Sequence, residues 1–254
     1  MAAPQIQVRD VCKRFPVRHG FTDALLNVSF SVARNEFICL IGPSGCGKTT
    51  ILKLIGDILP VTSGHITIDG QTPVRARRAR SFGFVFQDAV LLPWRTVEQN
   101  VLLFHEVIGD NRGEKARQRV RDLIELVGLT EFERHYPNEL SGGMQQRVSI
   151  ARALSFDPQI LLMDEPFGAL DAITRDKMGA ELLRIWEHAK KTVLLVTHSL
   201  AEAVFLADRV VVFSARPARV MTIADIEMPR PRPPEVRDEP IFHEYVRELR
   251  GFLK

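Results

Sequence analysis

The run Gly42-Pro43-Ser44-Gly45-Cys46-Gly47-Lys48-Thr49 constrains the fold more than any other stretch of this chain. It follows the apolar segment Phe37–Ile41 and opens a helical run at Thr49 and Thr50. Glycines in such a turn let successive backbone N–H groups converge on a phosphate, and the N-terminus of the next helix adds a favourable dipole. Strand, phosphate-holding loop and helix in that order call for an α/β core. Lys48 is placed to reach the β- and γ-phosphates of a nucleotide, and Thr49 to offer its hydroxyl to Mg²⁺.

Four further apolar runs read as strands: Phe82–Phe86, Ile160–Met163, Thr192–Val196 and Val210–Phe213. Most lack alternation, which suits a sheet covered by helices on both faces. Asn27–Val32 does alternate, as a half-exposed antiparallel strand would, and His65–Asp69 with Gly70 reads as another such strand and its turn. From about residue 88 to 157 the period is helical. Val120, Leu123, Ile124 and Val127 fall on one face, with Gly128 as the C-cap. Pro229, Pro231, Pro233 and Pro234 predict a stiff extended linker, and the apolar face from Ile241 to Leu253 predicts a helix docked on its own domain.

Composition excludes several classes. A net charge of +3, from 34 basic and 31 acidic residues, is too small to argue for nucleic acid. Cys12, Cys39 and Cys46 are an odd number at no metal-ligand spacing, which fits a reducing compartment. No apolar stretch reaches the roughly 18–20 residues that cross a bilayer. Met1-Ala2-Ala3-Pro4-Gln5 is not followed by a signal core, so a cytoplasmic chain is expected.

The chemistry-bearing residues fall at predicted strand ends. Ile160–Met163 runs into Asp164 and Glu165: the first suits Mg²⁺, directly or through water, and the second suits a general base on the attacking water. Gln87 follows Phe82–Phe86, where a neutral amide can touch Mg²⁺ or water and swing away. His198 follows Thr192–Thr197, where an imidazole can donate to the γ-phosphate. Ser141-Gly142-Gly143, ahead of a helix from Met144 to Leu154, is a second place that holds a phosphate. Cys46 reads either as an acidic, reactive thiol or as a small residue without catalytic duty.

The order Gly42–Thr49, Gln87, Leu140–Arg147, Ile160–Glu165, Gly168-Ala169-Leu170-Asp171 and His198 resembles the ATP-binding subunit of an ABC transporter, over residues from about 5 to 225. The resemblance implies a P-loop NTPase (RecA-like) core with an antiparallel β subdomain and an inserted α-helical subdomain near 88–157. Residues 1–228 would form that ATPase domain, and 229–254 a Pro-rich linker and amphipathic helix. It also implies a head-to-tail dimer, of two identical or similar subunits, with ATP between one phosphate loop and the other subunit's Ser141, Gly142 and Gly143. Asp171 would sit at the seam. Phe15 would stack on adenine, with Phe21 as the alternative.

Leu91-Leu92-Pro93-Trp94 and Asp164-Glu165-Pro166-Phe167-Gly168-Ala169-Leu170-Asp171 resemble the nitrate, sulfonate and taurine importer branch. That branch implies an ATPase on the cytoplasmic face of the bacterial inner membrane, working with permease subunits and a solute-binding protein. The solute would be a small one of anionic type, which this subunit never touches. Chromosome- and ribosome-acting relatives carry a long coiled coil or two heads in one chain, unlike this one. Ser199 stands where the branch usually has Asp, which leaves the orientation of His198 to be explained. The basic cluster Arg75, Arg77, Arg78 and Arg80 reads as a solvated loop.

Overall fold

The computed structural model describes residues 3–109, 113–168 and 170–253. Met1, Ala2 and Ala169, quoted above, lie outside the described residues. The chain opens with β1 (Ile6–Val17), β2 (Gly20–Val32), β3 (Phe37–Ile41), α1 (Lys48–Ile55), β4 (Ser63–Ile68), α2 (Pro73–Arg78) and β5 (Phe82–Val85). A helical stretch follows, with α3 (Val97–Val107), α4 (Glu114–Leu126) and α5 (Gly142–Leu154). The chain then returns through β6 (Ile160–Asp164), α6 (Ala172–Ala189), β7 (Thr192–Val196), α7 (Leu200–Leu206), β8 (Arg209–Phe213) and β9 (Val220–Asp225), and ends in α8 (Pro240–Phe252).

Two sheets organise these elements. β2-β1-β4 is a three-stranded antiparallel sheet, and β5-β6-β7-β3-β8-β9 is a six-stranded one. In the larger sheet every pairing from β5 to β8 is parallel, and β9 joins antiparallel to β8. Every residue of β3, β6 and β7 is buried, which explains their unbroken apolar sequences. Alternate side chains still divide between the faces. Phe37, Cys39 and Ile41 pack with α5, α6 and α7, whereas Ile38 and Leu40 pack with α1 and the antiparallel sheet.

Three expectations need correction. β5 stops at Val85, because the Phe86 carbonyl accepts from Nε2 of Gln146 on α5 and the Phe86 ring stacks on Phe84 at 4.4 Å. Pro73 starts a short helix at its first turn, so Arg75, Arg77 and Arg78 lie on α2 and not in a loop. Arg77 donates to Asp57 at 2.7 Å, and the Arg80 guanidinium lies 5.6 Å from the Phe104 ring. The proline-rich segment is also no free spacer. Arg232 within it is 4% exposed and donates to the carbonyls of Val204, Phe205, Ala207, Ile226 and Met228.

Beyond that strap, Phe242 and Leu249 of α8 are buried in the same core as α7, and the Tyr245 hydroxyl accepts from the amide of Glu227. In the helical stretch, Val120, Leu123, Ile124 and Val127 are buried, and Gly128 takes φ +64 after α4. Thr96 and Gln99 form a capping box on α3. No helix among the described residues is long and apolar enough to cross a membrane.

Candidate functional site

Strand order and direction bring the predicted residues to one edge. β5, β6, β7 and β3 are neighbours and run the same way, so Gln87, Asp164 with Glu165, His198 and the loop from Gly42 all leave the sheet at its C-terminal side. The expected convergence is therefore a consequence of parallel pairing.

The loop is shaped by its glycines. Gly45 has φ +70 and Gly47 φ +131, and a Cβ on Gly47 would come within 2.8 Å of the Leu25 side chain. Gly47 also stands at the N-cap of α1 without a side-chain cap, which leaves the first-turn amides for a ligand. Lys48 is buried, and its ammonium donates to the carbonyls of Gly42 at 2.8 Å and Pro43 at 3.0 Å. An ammonium has three donors, so it retains one for phosphate oxygen. Cys46 is 1% exposed with its sulfur beneath Gly42, and burial pushes the thiol up, against the lowering effect of Lys48. The acidic-thiol reading is thus overturned.

Thr49 and Asp164 meet directly: the hydroxyl donates to Oδ1 of Asp164 at 2.7 Å. Burial holds the Asp164 carboxyl above its usual range, and the Thr49 bond pulls it back down. Glu165 takes φ +45, a left-handed conformation that costs a non-glycine residue on the order of 1–3 kcal/mol. Its amide donates to the Val196 carbonyl at 2.9 Å, and its Oε2 lies 3.0 Å from Nδ1 of His198. That strained turn aims Glu165 at the imidazole just past the end of the neighbouring β7. A Cβ on Gly168 would sit 3.4 Å from Nε2 of Gln87 and 3.5 Å from Oε2 of Glu165, so Gln87 and Glu165 share one small space. Gln87 and His198 are exposed there.

The Ser-Gly-Gly element lies apart from the loop. Ser141 is the N-cap of α5 and accepts from the amide of Met144. Ser141 and Gly143 open into a recess of about 270 Å³ whose other walls include Thr174 and Met178 of α6, and none of Gly42–Thr50 lines it. Gly142 faces Gln87 and Leu170 in a neighbouring recess of about 360 Å³. Asp171 caps α6 through the amide of Thr174, a bond that holds its carboxyl below the usual range. Pro43 and Ser44 are exposed at the loop tip, and Thr50 is half-buried in α1.

Phe15 is half-buried opposite Thr22, with the Lys13 ammonium 5.0 Å from its ring. Its strand neighbours the loop, since Lys13 pairs with Leu25, which touches Gly47. Phe21 is 69% exposed at the hairpin.

Ser199 has a definite job: its hydroxyl accepts from the amide of Glu202 as N-cap of α7. Glu202 itself, buried behind His198, escaped the reading of the sequence, although Ser199-x-x-Glu202 is a legible capping-box pattern. Arg175, whose guanidinium donates to the Leu170 carbonyl, was missed as well.

A phosphate loop, a hydroxyl–carboxylate pair and a carboxylate–imidazole pair on one edge of a parallel sheet define a P-loop nucleotide-binding ATPase. Residues 25–168 match the ABC transporter family. An uncharacterized ABC transporter ATP-binding protein of Methanocaldococcus jannaschii is 46% identical over 98% of this chain and 91% of its own length. The nitrate import ATP-binding protein of Synechococcus elongatus is 44% identical over 96% and 89%. The taurine import ATP-binding protein of Rhizobium johnstonii is 45% identical over 94% and 92%. Among solved structures, a dimeric bacterial ABC transporter cassette superposes with TM-score 0.75 and 35% identity, over 88% of this chain and 99% of that one. A post-hydrolysis state of such a cassette, bound to ADP and Pi, superposes equally well at 34% identity. The chain belongs to the ABC transporter family.

Proposed function

We propose that the chain is the ATP-hydrolysing subunit of an importer, working as a head-to-tail dimer whose two sites each combine residues of both subunits. The carrying observation is that Ser141 and Gly143 line a recess with α6 to which Lys48, Asp164, Glu165 and His198 contribute nothing. A helix N-terminus that shares no recess with its own phosphate loop suits a γ-phosphate held by a neighbour.

The donor set fits Mg²⁺. Thr49 and Asp164 offer two hard oxygens already 2.7 Å apart, and no cluster of three metal-ligating side chains occurs among the described residues. Mg²⁺ is commonly held this way, by one or two protein oxygens together with phosphates. Thr49 and Asp164 would hold the ion and Gln87 would reach it; when bound, it neutralises charge on the β- and γ-oxygens. Phe15 would take the adenine, and Lys48 and the loop amides the phosphates.

Glu165 accepts the proton of the attacking water. His198 would orient Glu165 through Nδ1, 3.0 Å from its Oε2, which leaves Nε2 for a phosphate oxygen. Ser141 of the opposite subunit then stabilises charge on the transferred group. Exposed Trp94 and Val90, after Gln87, would face a permease at the cytoplasmic face of the membrane. The branch resemblance favours nitrate, sulfonate or taurine as solute, delivered by a solute-binding protein.

Mixed dimers test the shared site. Lys48→Ala and Ser141→Arg chains should each be inactive alone. Mixed, they should recover part of the ATPase rate, because one interface then keeps both intact halves. Full activity of Ser141→Arg alone would refute the arrangement.

A further inference from the structure

Between His198 and the core lies a bonded unit that neither phosphate nor metal chemistry uses. Glu202, in the first turn of α7, is 7% exposed. Its Oε2 accepts from the Thr197 hydroxyl at 2.5 Å. The same hydroxyl accepts from the amide of Ser199 at 3.0 Å, and the Ser199 hydroxyl accepts from the amide of Glu202 at 3.2 Å. In an ordinary capping box the acid reaches the N-cap amide directly. Here a threonine hydroxyl is inserted into that link, so the box encloses the residue between Thr197 and Ser199. That residue is His198. Thr197 is anchored in turn, because its amide donates to the Leu40 carbonyl in the strand that leads to the phosphate loop.

We propose that Glu202 is a positioning residue for His198: through Thr197 and Ser199 it fixes the backbone on both sides of the imidazole and so sets the Nδ1–Glu165 bond. The proposal rests on the catalytic reading of His198 above. A cap alone does not require this residue type at this depth, since burying a carboxylate costs free energy that an apolar side chain avoids. Burial raises Glu202 to about 7, against the lowering bond from Thr197. The charges that face it are Arg175 on α6, His198 itself, and Arg237 in the turn before α8. The same unit answers the substitution at position 199. His198 takes its bearing from Glu165 on one side and from this box on the other, with no acid next to it.

Steady-state ATPase kinetics on the full chain decide the matter, using Glu202→Ala, Thr197→Val, the double variant, Glu202→Gln and His198→Ala. Misplacing a catalytic group slightly costs up to about 100-fold in rate. Glu202→Ala and Thr197→Val should therefore each lower kcat by roughly 10–100-fold, with KM for ATP changed by less than about twofold. The double variant should be no slower than the worse single one, since both break one link. Glu202→Gln, whose carbonyl still accepts from Thr197, should recover most of the rate. Wild-type kcat in Thr197→Val, multiplicative losses in the double variant, or losses confined to KM would each overturn the proposal. His198→Ala at the wild-type rate would instead overturn the site reading on which it stands.

Discussion

Glu165 shows how much this site asks of a single position. It spends backbone strain at φ +45 so that one carboxylate reaches both His198 and the space beside Gln87. Glu165→Gln keeps the shape and the contact to His198 but removes the proton acceptor. Its hydrolysis rate should fall by roughly 10²–10⁴-fold while ATP still binds. A dimer that forms with ATP and persists on a sizing column, alongside phosphate release near background, is the expected result. A rate equal to that of the parent chain would remove Glu165 from its role. The residues of this kind were legible in the sequence because phosphate and metal chemistry fixes their type and their place at strand ends. Thr197 was not, because its task is to hold another residue, and Glu202 left only the Ser199-x-x-Glu202 capping pattern, which marks a helix start and says nothing of His198.

Among the elements, the strap around Arg232 joins α7 to α8. The Arg232 guanidinium donates to the carbonyls of Val204, Phe205 and Ala207 at the end of α7 and to two carbonyls that follow β9, while Arg230 donates to the Leu206 carbonyl between them. Arg232→Ala leaves several of these acceptors buried and unpaired, a loss on the order of 3 kcal/mol. For a chain of this size that corresponds to a melting point lower by roughly 6–12 °C in a thermal scan. Arg232→Lys should recover little, since an ammonium cannot span the same fork of carbonyls. The element boundaries show where pattern reading stops. β3, β6 and β7 were visible as apolar runs because both their faces are covered. β1, interrupted by Gln7, Arg9, Asp10, Lys13 and Arg14, and β9, half-buried along most of its length, carry no such signal. The prolines did predict an extended path at 229–234, but no local pattern says whether such a path is free or packed.

At the scale of the whole molecule, proton linkage follows from the buried acid behind His198. Glu202 is raised to about 7 in the folded chain, above the ordinary range it regains on unfolding. Between those values the folded state binds the extra proton. Its contribution to stability is therefore fully present below the unfolded value and is lost as pH rises through about 7. Melting points should be lower at pH 8 than at pH 6, and Glu202→Gln should flatten that difference; an unchanged slope in the variant would assign it to other groups. Taken singly, Ser141-Gly142-Gly143 looks like a second site; the family resemblance of the whole motif order is what implies a head-to-tail dimer, and a dimeric cassette among the similar solved structures agrees with it. The strap has a consequence in time as well as in space. Arg232 leaves the ribosome after β1 to β9 have been synthesised, so the nascent chain holds every motif for nucleotide chemistry before it can close the end of α7. A chain cut short ahead of Arg232 lacks the guanidinium on the carbonyls of Val204, Phe205 and Ala207, and limited proteolysis should cleave it faster than the full chain.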